Sequence, residues 1–266
     1  MDSRQTQSHR SWLSNVLDLL PRMLLRGTAA TGHFQTTSWS LVIAAAQQPT
    51  ESAETALAKL CQLYWYPVYA FVRRRGNSQD DARDLAQEFF SRLLEKNYLK
   101  DADPARGRFR SFLLGAVRNF LANEWNKGQT QKRGGGVLTI ALDAETAEGR
   151  YASEPASQET PESLYERQWA LTLLDQVMTG LREEYARDGR SDHFEKLAPY
   201  LTGMDEPPYA DIASQWKGSA GAVKVAVHRL RKRYRQLLRE TIAETVLTPE
   251  DVDDEIRFLL SALGTP

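Results

Sequence analysis

The stretch from Asp211 to Arg233 constrains the fold of this 266-residue chain more than any other feature. A short helical pattern ends at Lys217 and Gly218, and a basic helical pattern follows directly. Three apolar residues recur at helical spacing and predict the buried stripe of that second helix: Val223, Val227 and Leu230. Two helices joined by a tight turn are the layout that places one helix in the major groove of DNA. A solvated helical hairpin with a basic face is the alternative that these residues alone leave open.

The second helix of this hairpin carries the predicted DNA contacts. Ser219 is well suited to cap the helix, because its hydroxyl can accept a backbone N–H bond. Seven residues of the early and middle turns are the candidates: Ser219, Gly221, Ala222, Lys224, His228, Arg229 and Arg231. Phosphate contacts fix position and salt dependence, whereas contacts to base edges fix the sequence that is bound.

The charge of the chain excludes a protein that coats nucleic acid without specificity. The formal net charge is −1, so no global field draws the chain onto DNA. Basic residues are instead concentrated in Arg106–Arg110, Lys127–Arg133 and Lys224–Arg239. Because salt screens distant charges, binding follows these local patches.

Several classes of protein are excluded by what the sequence lacks. The single cysteine, Cys61, permits no disulfide within the chain, and the four histidines have no metal-ligand spacing, so neither a metal nor another cofactor is expected. The glycines Gly134–Gly136 follow no strand and open no helix, and no nucleophile elbow is present, so an enzyme is not expected. No apolar run reaches the roughly 20 residues that span a bilayer, and we expect a cytoplasmic protein without a membrane span.

Helical periodicity without strand signals predicts an all-α fold of two small helical domains joined by a flexible linker. Helices are expected over Ser52–Arg75, where Pro67 should kink or divide the helix, and over Gln79–Asn97. A further helix is expected from Phe112 to about Lys127, and an amphipathic tail helix begins at Pro249, at its favoured first position.

An acidic stripe lies on the predicted helix that begins at Gln79. Asp81, Asp84 and Glu88 are three and four residues apart and therefore share one helix face, beside Gln87. Such a stripe suits a basic helical partner. A solvated face, stabilised by the helix dipole and local ion pairs, is the alternative.

Two separated segments resemble bacterial RNA polymerase sigma factors of the extracytoplasmic-function type, within the sigma-70 family. Asp81–Leu93, followed by Phe112–Asn119, is similar to region 2 of these proteins, and Tyr209–Arg233 is similar to region 4. The resemblance implies five segments: an N-terminal extension (1–33), region 2 (34–130), an acidic linker (131–163), region 4 (164–245) and a C-terminal amphipathic helix (246–266).

The resemblance also implies partners and roles. Region 2 would bind the β′ clamp of core polymerase through Asp81, Asp84, Gln87 and Glu88, and region 4 would bind the −35 element and the β flap. The −10 element would be melted and held by four residues: Arg106, Arg108, Arg110 and Asn119. An anti-sigma factor is a further partner that this family admits. The function implied is a sigma factor that starts transcription at promoters; the alternative is a stand-alone helix-turn-helix regulator.

Three features leave open alternatives. Trp125 either stacks on an unpaired base or belongs to the core. The turn of the hairpin has Trp216–Lys217 where the family usually has Leu-Gly, with glycine one place later. This departure can either weaken or redirect recognition of the −35 element. The C-terminal amphipathic helix either docks on the preceding bundle or provides internal control by covering one domain.

Overall fold

The computed structural model describes residues 39, 51–94, 108–128, 144–152, 159–203 and 206–264. Within these ranges there is no strand, only one isolated bridge between Arg108 and Val246, so the predicted all-α fold is confirmed. The N-terminal extension, Arg106 and Gly134–Gly136 of the predicted linker lie outside the described residues. None of the described helices is long and apolar enough to cross a membrane.

Ten helices are present in the described ranges. The first five are α1 (Glu51–Arg74), α2 (Gln79–Leu94), α3 (Phe109–Gly128), α4 (Ala144–Ala152) and α5 (Pro161–Arg187). The second five are α6 (Ser191–Leu197), α7 (Pro199–Thr202), α8 (Tyr209–Gln215), α9 (Ala220–Ala243) and α10 (Pro249–Ala262).

The chain divides into two compact units. The N-terminal unit comprises the described residues of His33–Thr172 together with Ile242–Glu255. The C-terminal unit comprises Leu173–Thr241 and the described residues of Ile256–Pro266. The segment Ile242–Glu255, which follows the predicted DNA-binding hairpin in sequence, is therefore part of the N-terminal unit. This division differs from the five-segment organisation expected from the resemblance, which remains a prediction.

The N-terminal unit is built on the long helix α1. Pro67 lies inside α1, where the sequence predicts a kink or a division, and it does not divide the helix, because one helix runs from Glu51 to Arg74. The core is aromatic, with fully buried rings that meet at centroid distances near 5–6 Å, among them Tyr64, Phe89, Phe90, Phe109 and Phe120. Such edge and tilted ring contacts stabilise the packing beyond simple area burial.

Helix α4 lies within the predicted linker and packs on α1. Glu148 accepts hydrogen bonds from the Arg73 guanidinium at 2.8 and 3.1 Å and from the Tyr69 hydroxyl. The Arg150 guanidinium lies over the ring of Tyr66, 3.9 Å from its centroid. This part of the predicted flexible linker is therefore a helix that is held to the N-terminal unit.

The C-terminal unit buries the stripe predicted from the sequence. Val223, Val227 and Leu230 of α9 are buried, as are Ile212 and Ala213 of α8. Helices α8 and α9 form the helix-turn-helix pair. Beyond Leu230, α9 continues for about four further turns at 3.6 residues a turn.

Candidate binding surfaces

The acidic stripe of α2 is exposed in the N-terminal unit. Asp81, Asp84 and Glu88 are exposed and Gln87 is half-buried. The Ser78 hydroxyl donates to Asp81 at 2.7 Å and accepts from the Asp81 N–H at 3.2 Å, which caps the start of α2. The structure therefore brings the predicted residues onto one accessible face, although Asp81 also serves as a cap.

The remaining charges of this stripe pair locally and weakly. Asp84 is 3.5 Å from Arg83, and Glu88 pairs with Arg92. Exposed pairs of this kind contribute less than about 1 kcal/mol, so a basic partner surface can displace them at little cost.

The turn between α8 and α9 positions the second helix. Lys217 has a φ of 51°, the left-handed region, at the place where the resemblance leads one to expect glycine. A non-glycine residue costs roughly 1–2 kcal/mol in this conformation, so this turn carries a small strain. Gly218 donates to the Ala213 carbonyl at 2.9 Å, and the Ser219 hydroxyl accepts from the Ala222 N–H at 3.2 Å. Ser219 thus caps α9 as the sequence predicts.

The recognition helix, as we call α9, presents an open surface. Ser219, Gly221 and Ala222 are exposed in its first turns. Lys224, His228 and Arg229 are exposed as well, and no carboxylate within the described ranges forms an ion pair with them. These three side chains are available to an anion.

Arg231 differs from the other candidates of α9. Its guanidinium donates to the Tyr200 carbonyl at 2.8 and 3.1 Å and lies 3.5 Å from Glu206. These bonds tie α9 to α7 within the C-terminal unit. Contact of Arg231 with DNA remains a prediction.

A groove of about 610 Å³ runs beside the recognition helix, inside the C-terminal unit. Tyr185, His193 and Leu197 line one side, and Val225 and Ala226 line the other. Val225 is 50% exposed, which is unusual for a branched apolar side chain among the described residues. The recognition helix therefore combines exposed cations with an exposed apolar contact.

Arg108 and Arg110, which we call the arginine pair, lie at the start of α3, and both form ion pairs with carboxylates. Arg110 donates to Glu255 at 2.9 and 3.2 Å, and the two side chains are 5% and 1% exposed. Arg108 lies 3.3 Å from Glu255 and 3.6 Å from Asp254. Burial lowers the pKa of Arg110, but the hydrogen bond and negative charge of Glu255 outweigh it and hold the pKa above its ordinary value.

Two exposed residues of α3 are a polar and an aromatic candidate for contact with DNA. Asn119 is exposed, and the side chain of Trp125 is 77% exposed, so Trp125 is not part of the core. Arg118 on the same helix donates to Glu162 at 2.6 and 3.1 Å. The hydrogen bond from Arg118 lowers the pKa of Glu162 against the opposing effect of burial.

Glu255, the carboxylate that pairs with Arg108 and Arg110, was not among the candidate site residues predicted from the sequence. A signal was present, because Glu255 falls on the stripe of α10 that also buries Val252, Ile256 and Leu259. An acid at a core position of an amphipathic helix requires a buried cation, since burying an unpaired charge is costly. Arg110 sits at the corresponding inward position of α3, with Leu113 and Val117.

Comparison with protein families gives a match, which lies within the N-terminal unit. Residues 63–131 match the family model described as Sigma-70 region 2. No curated protein and no solved structure matches the chain. Over these residues the match confirms the resemblance to the sigma-70 family, and sigma factors of that family take part in transcription initiation. The extracytoplasmic-function subtype, and region 4 beyond the matched range, remain predictions.

Proposed function

We propose that this protein is a sigma factor of the sigma-70 family that directs core RNA polymerase to promoters, holds the opened −10 element with its region 2 and binds the −35 element with α8 and α9. The observation that carries the proposal is the exposed acidic face of α2 within the matched region, followed along the chain by an open helix-turn-helix. A regulator that only bound DNA would have no need of the first of these two surfaces.

The face formed by Asp81, Asp84 and Glu88 is the proposed contact with polymerase, with Gln87 at its edge. The carboxylates are exposed and close in space, so they present a local negative potential. The β′ clamp, the partner that the family resemblance implies, would supply the complementary basic helices. The family resemblance also implies that the β flap of the polymerase would bind the C-terminal unit.

Exposed residues of α3 are the proposed contacts for unpaired −10 bases. Asn119 offers an amide that can hydrogen-bond a base edge, and Trp125 offers a ring on which a base can stack. Stacking on an aromatic side chain contributes about 1–3 kcal/mol per base and tolerates any sequence.

The recognition helix is the proposed reader of the −35 element. Lys224 and Arg229 suit phosphates or guanine edges, and His228 lies between them on the exposed surface. The small residues Gly221 and Ala222 leave the first turns free of bulky side chains that would hold the backbone away from the groove. We expect the protein to act in the cytoplasm, where it would meet the polymerase.

Binding to core polymerase is the first test. Wild-type protein should co-purify with bacterial core polymerase, and Asp84→Arg/Glu88→Arg should lose that binding because both changes set arginines against a basic partner. Glu51→Arg/Glu250→Arg is the matched control, since it makes the same charge change at exposed positions of the N-terminal unit away from α2. The control should bind like wild type.

Transcription by the reconstituted enzyme completes the test. With host genomic DNA as template, the wild-type holoenzyme should give discrete transcript starts that share an upstream motif. Failure of the wild type to bind core, together with retention on duplex DNA by α8 and α9, would reject the sigma role and favour a stand-alone helix-turn-helix regulator.

A further inference from the structure

We propose that the segment Ile242–Glu255 is a built-in occupant of the surface around the arginine pair and competes with promoter DNA for it. The inference rests on the proposed function, because it takes Arg108 and Arg110 as DNA contacts of region 2. The carboxylates of Asp254 and Glu255 occupy the place of phosphate groups. The segment would have to leave the arginine pair before DNA could engage it.

The backbone of the segment is joined to the start of α3. The Phe109 N–H donates to the Thr245 carbonyl at 3.0 Å, and Arg108 and Val246 form an antiparallel bridge. The Trp39 N–H donates to the Glu244 carbonyl at 3.0 Å, and the Trp39 ring packs on Phe109 with centroids 5.0 Å apart. The segment therefore lies directly over the residues that the family resemblance assigns to DNA.

The side chains of the segment satisfy the arginine pair as phosphates would. A guanidinium binds carboxylate and phosphate oxygens with the same forked geometry. Arg110 makes two hydrogen bonds to Glu255, and Arg108 reaches both Glu255 and Asp254. Glu166 lies 3.6 Å from Arg110 as a further anion. With this cluster formed, Arg110 has no surface left for DNA.

The contact has the properties of one that can open. A buried ion pair contributes little net stability, because desolvation of both charges offsets their attraction. The outer part of the cluster is also accessible, with Arg108 25% exposed and Asp254 49% exposed. A DNA strand can therefore engage Arg108 first and then displace the carboxylates from Arg110, one phosphate at a time.

The experiment measures binding of the full chain to a fluorescein-labelled oligothymidine across a salt series. We expect Glu255→Gln to bind about tenfold more tightly than wild type, because two guanidinium groups become available. Its salt dependence should also steepen by about 0.7 for each added phosphate contact. Glu250→Gln removes a carboxylate from an exposed position of the same helix and is the matched control. Arg110→Gln/Glu255→Gln should lose about half of the gain in binding free energy, because only Arg108 then becomes available.

A second measurement needs no substitution. Hydrogen exchange at the amides of Trp39 and Phe109 should accelerate when wild-type protein is saturated with the oligonucleotide, because both amides donate to the displaced segment. Equal binding by Glu255→Gln and Glu250→Gln, or unchanged exchange at both amides, would overturn the inference. If core polymerase binding nevertheless holds, the proposed function survives this failure. Tighter oligonucleotide binding by Glu255→Gln without any core binding would instead reject the sigma role and retain the competition.

Discussion

Two groups of basic residues in this protein differ in their exposure to solvent and in their ion pairing. Arg110 in the N-terminal unit is 5% exposed and bonded to a buried carboxylate. Lys224 and Arg229 in the C-terminal unit are exposed, and within the described ranges they have no ion-pair partner. Both groups fall at positions that the family resemblance assigns to DNA. The same residue type is thus held inside one unit and left available on the other.

The difference teaches that a DNA-binding assignment has two parts, the chemistry of the side chain and its availability. An arginine on the outer face of a helix keeps its hydration and can exchange it for a phosphate. An arginine on the inner face must be paired inside the fold, since an isolated buried charge is not tolerated. Which case applies depends on what packs over the helix.

The largest expected effect is on protein stability, and it appears when a buried and an exposed arginine are each replaced by methionine. Arg110→Met should lower the free energy of unfolding by about 3–5 kcal/mol, because it leaves the Glu255 carboxylate buried without its main partner. Arg229→Met should change it by less than about 0.5 kcal/mol, as is usual for exposed positions. Chemical denaturation of both variants measures the contrast. Equal losses would contradict it.

An intermediate effect is expected on duplex DNA. Lys224→Met and Arg229→Met should each weaken binding by about 1 kcal/mol and reduce the salt dependence by about one phosphate contact. Arg187→Met, an exposed arginine on α5, is the matched control and should bind like wild type. Anisotropy titrations at several salt concentrations measure both quantities. An unchanged salt slope in Arg229→Met would show that this side chain does not meet the DNA backbone.

The smallest effect concerns ion pairs that are neither buried nor fully exposed. The hydrogen bond from Arg73 lowers the pKa of Glu148 against the effect of burial, so the folded pKa lies below the unfolded value. The stability that this pair contributes is therefore present above about pH 4.5 and lost as pH falls through the folded pKa. We expect less than about 1 kcal/mol, because solvent screens the pair.

Thermal melting across the acid range tests this expectation. The wild type should lose more stability than Glu148→Gln as the pH falls below about 4.5, since the variant lacks the titrating group. Glu184 is the corresponding carboxylate of the C-terminal unit, where Arg233 lowers its pKa by hydrogen bonding. Glu184→Gln should show a similar small effect. Parallel pH profiles for wild type and Glu148→Gln would contradict the role of the pair.

Local sequence patterns were enough to predict several of the helices and their inward faces. Periodicity identified α2 and the buried stripe of α9, and Ser219 was placed correctly as a cap, because spacing and capping are local properties. The acidic face of α2 was also predictable, since residues three and four apart share a face in any helix. The sigma-70 resemblance, carried by local motifs, was confirmed over residues 63–131.

Which charged side chains are available to a partner depends on tertiary packing. The pairing of Arg110 with Glu255 joins residues 145 positions apart, and nothing in their local patterns specifies that partner. Tertiary packing also outweighed the local expectation that residues 144–152 belong to a flexible linker, and α1 continues through Pro67 without being divided. The physical reason is that spacing fixes which way a side chain faces, whereas the burial and partner of that side chain depend on segments distant in the chain.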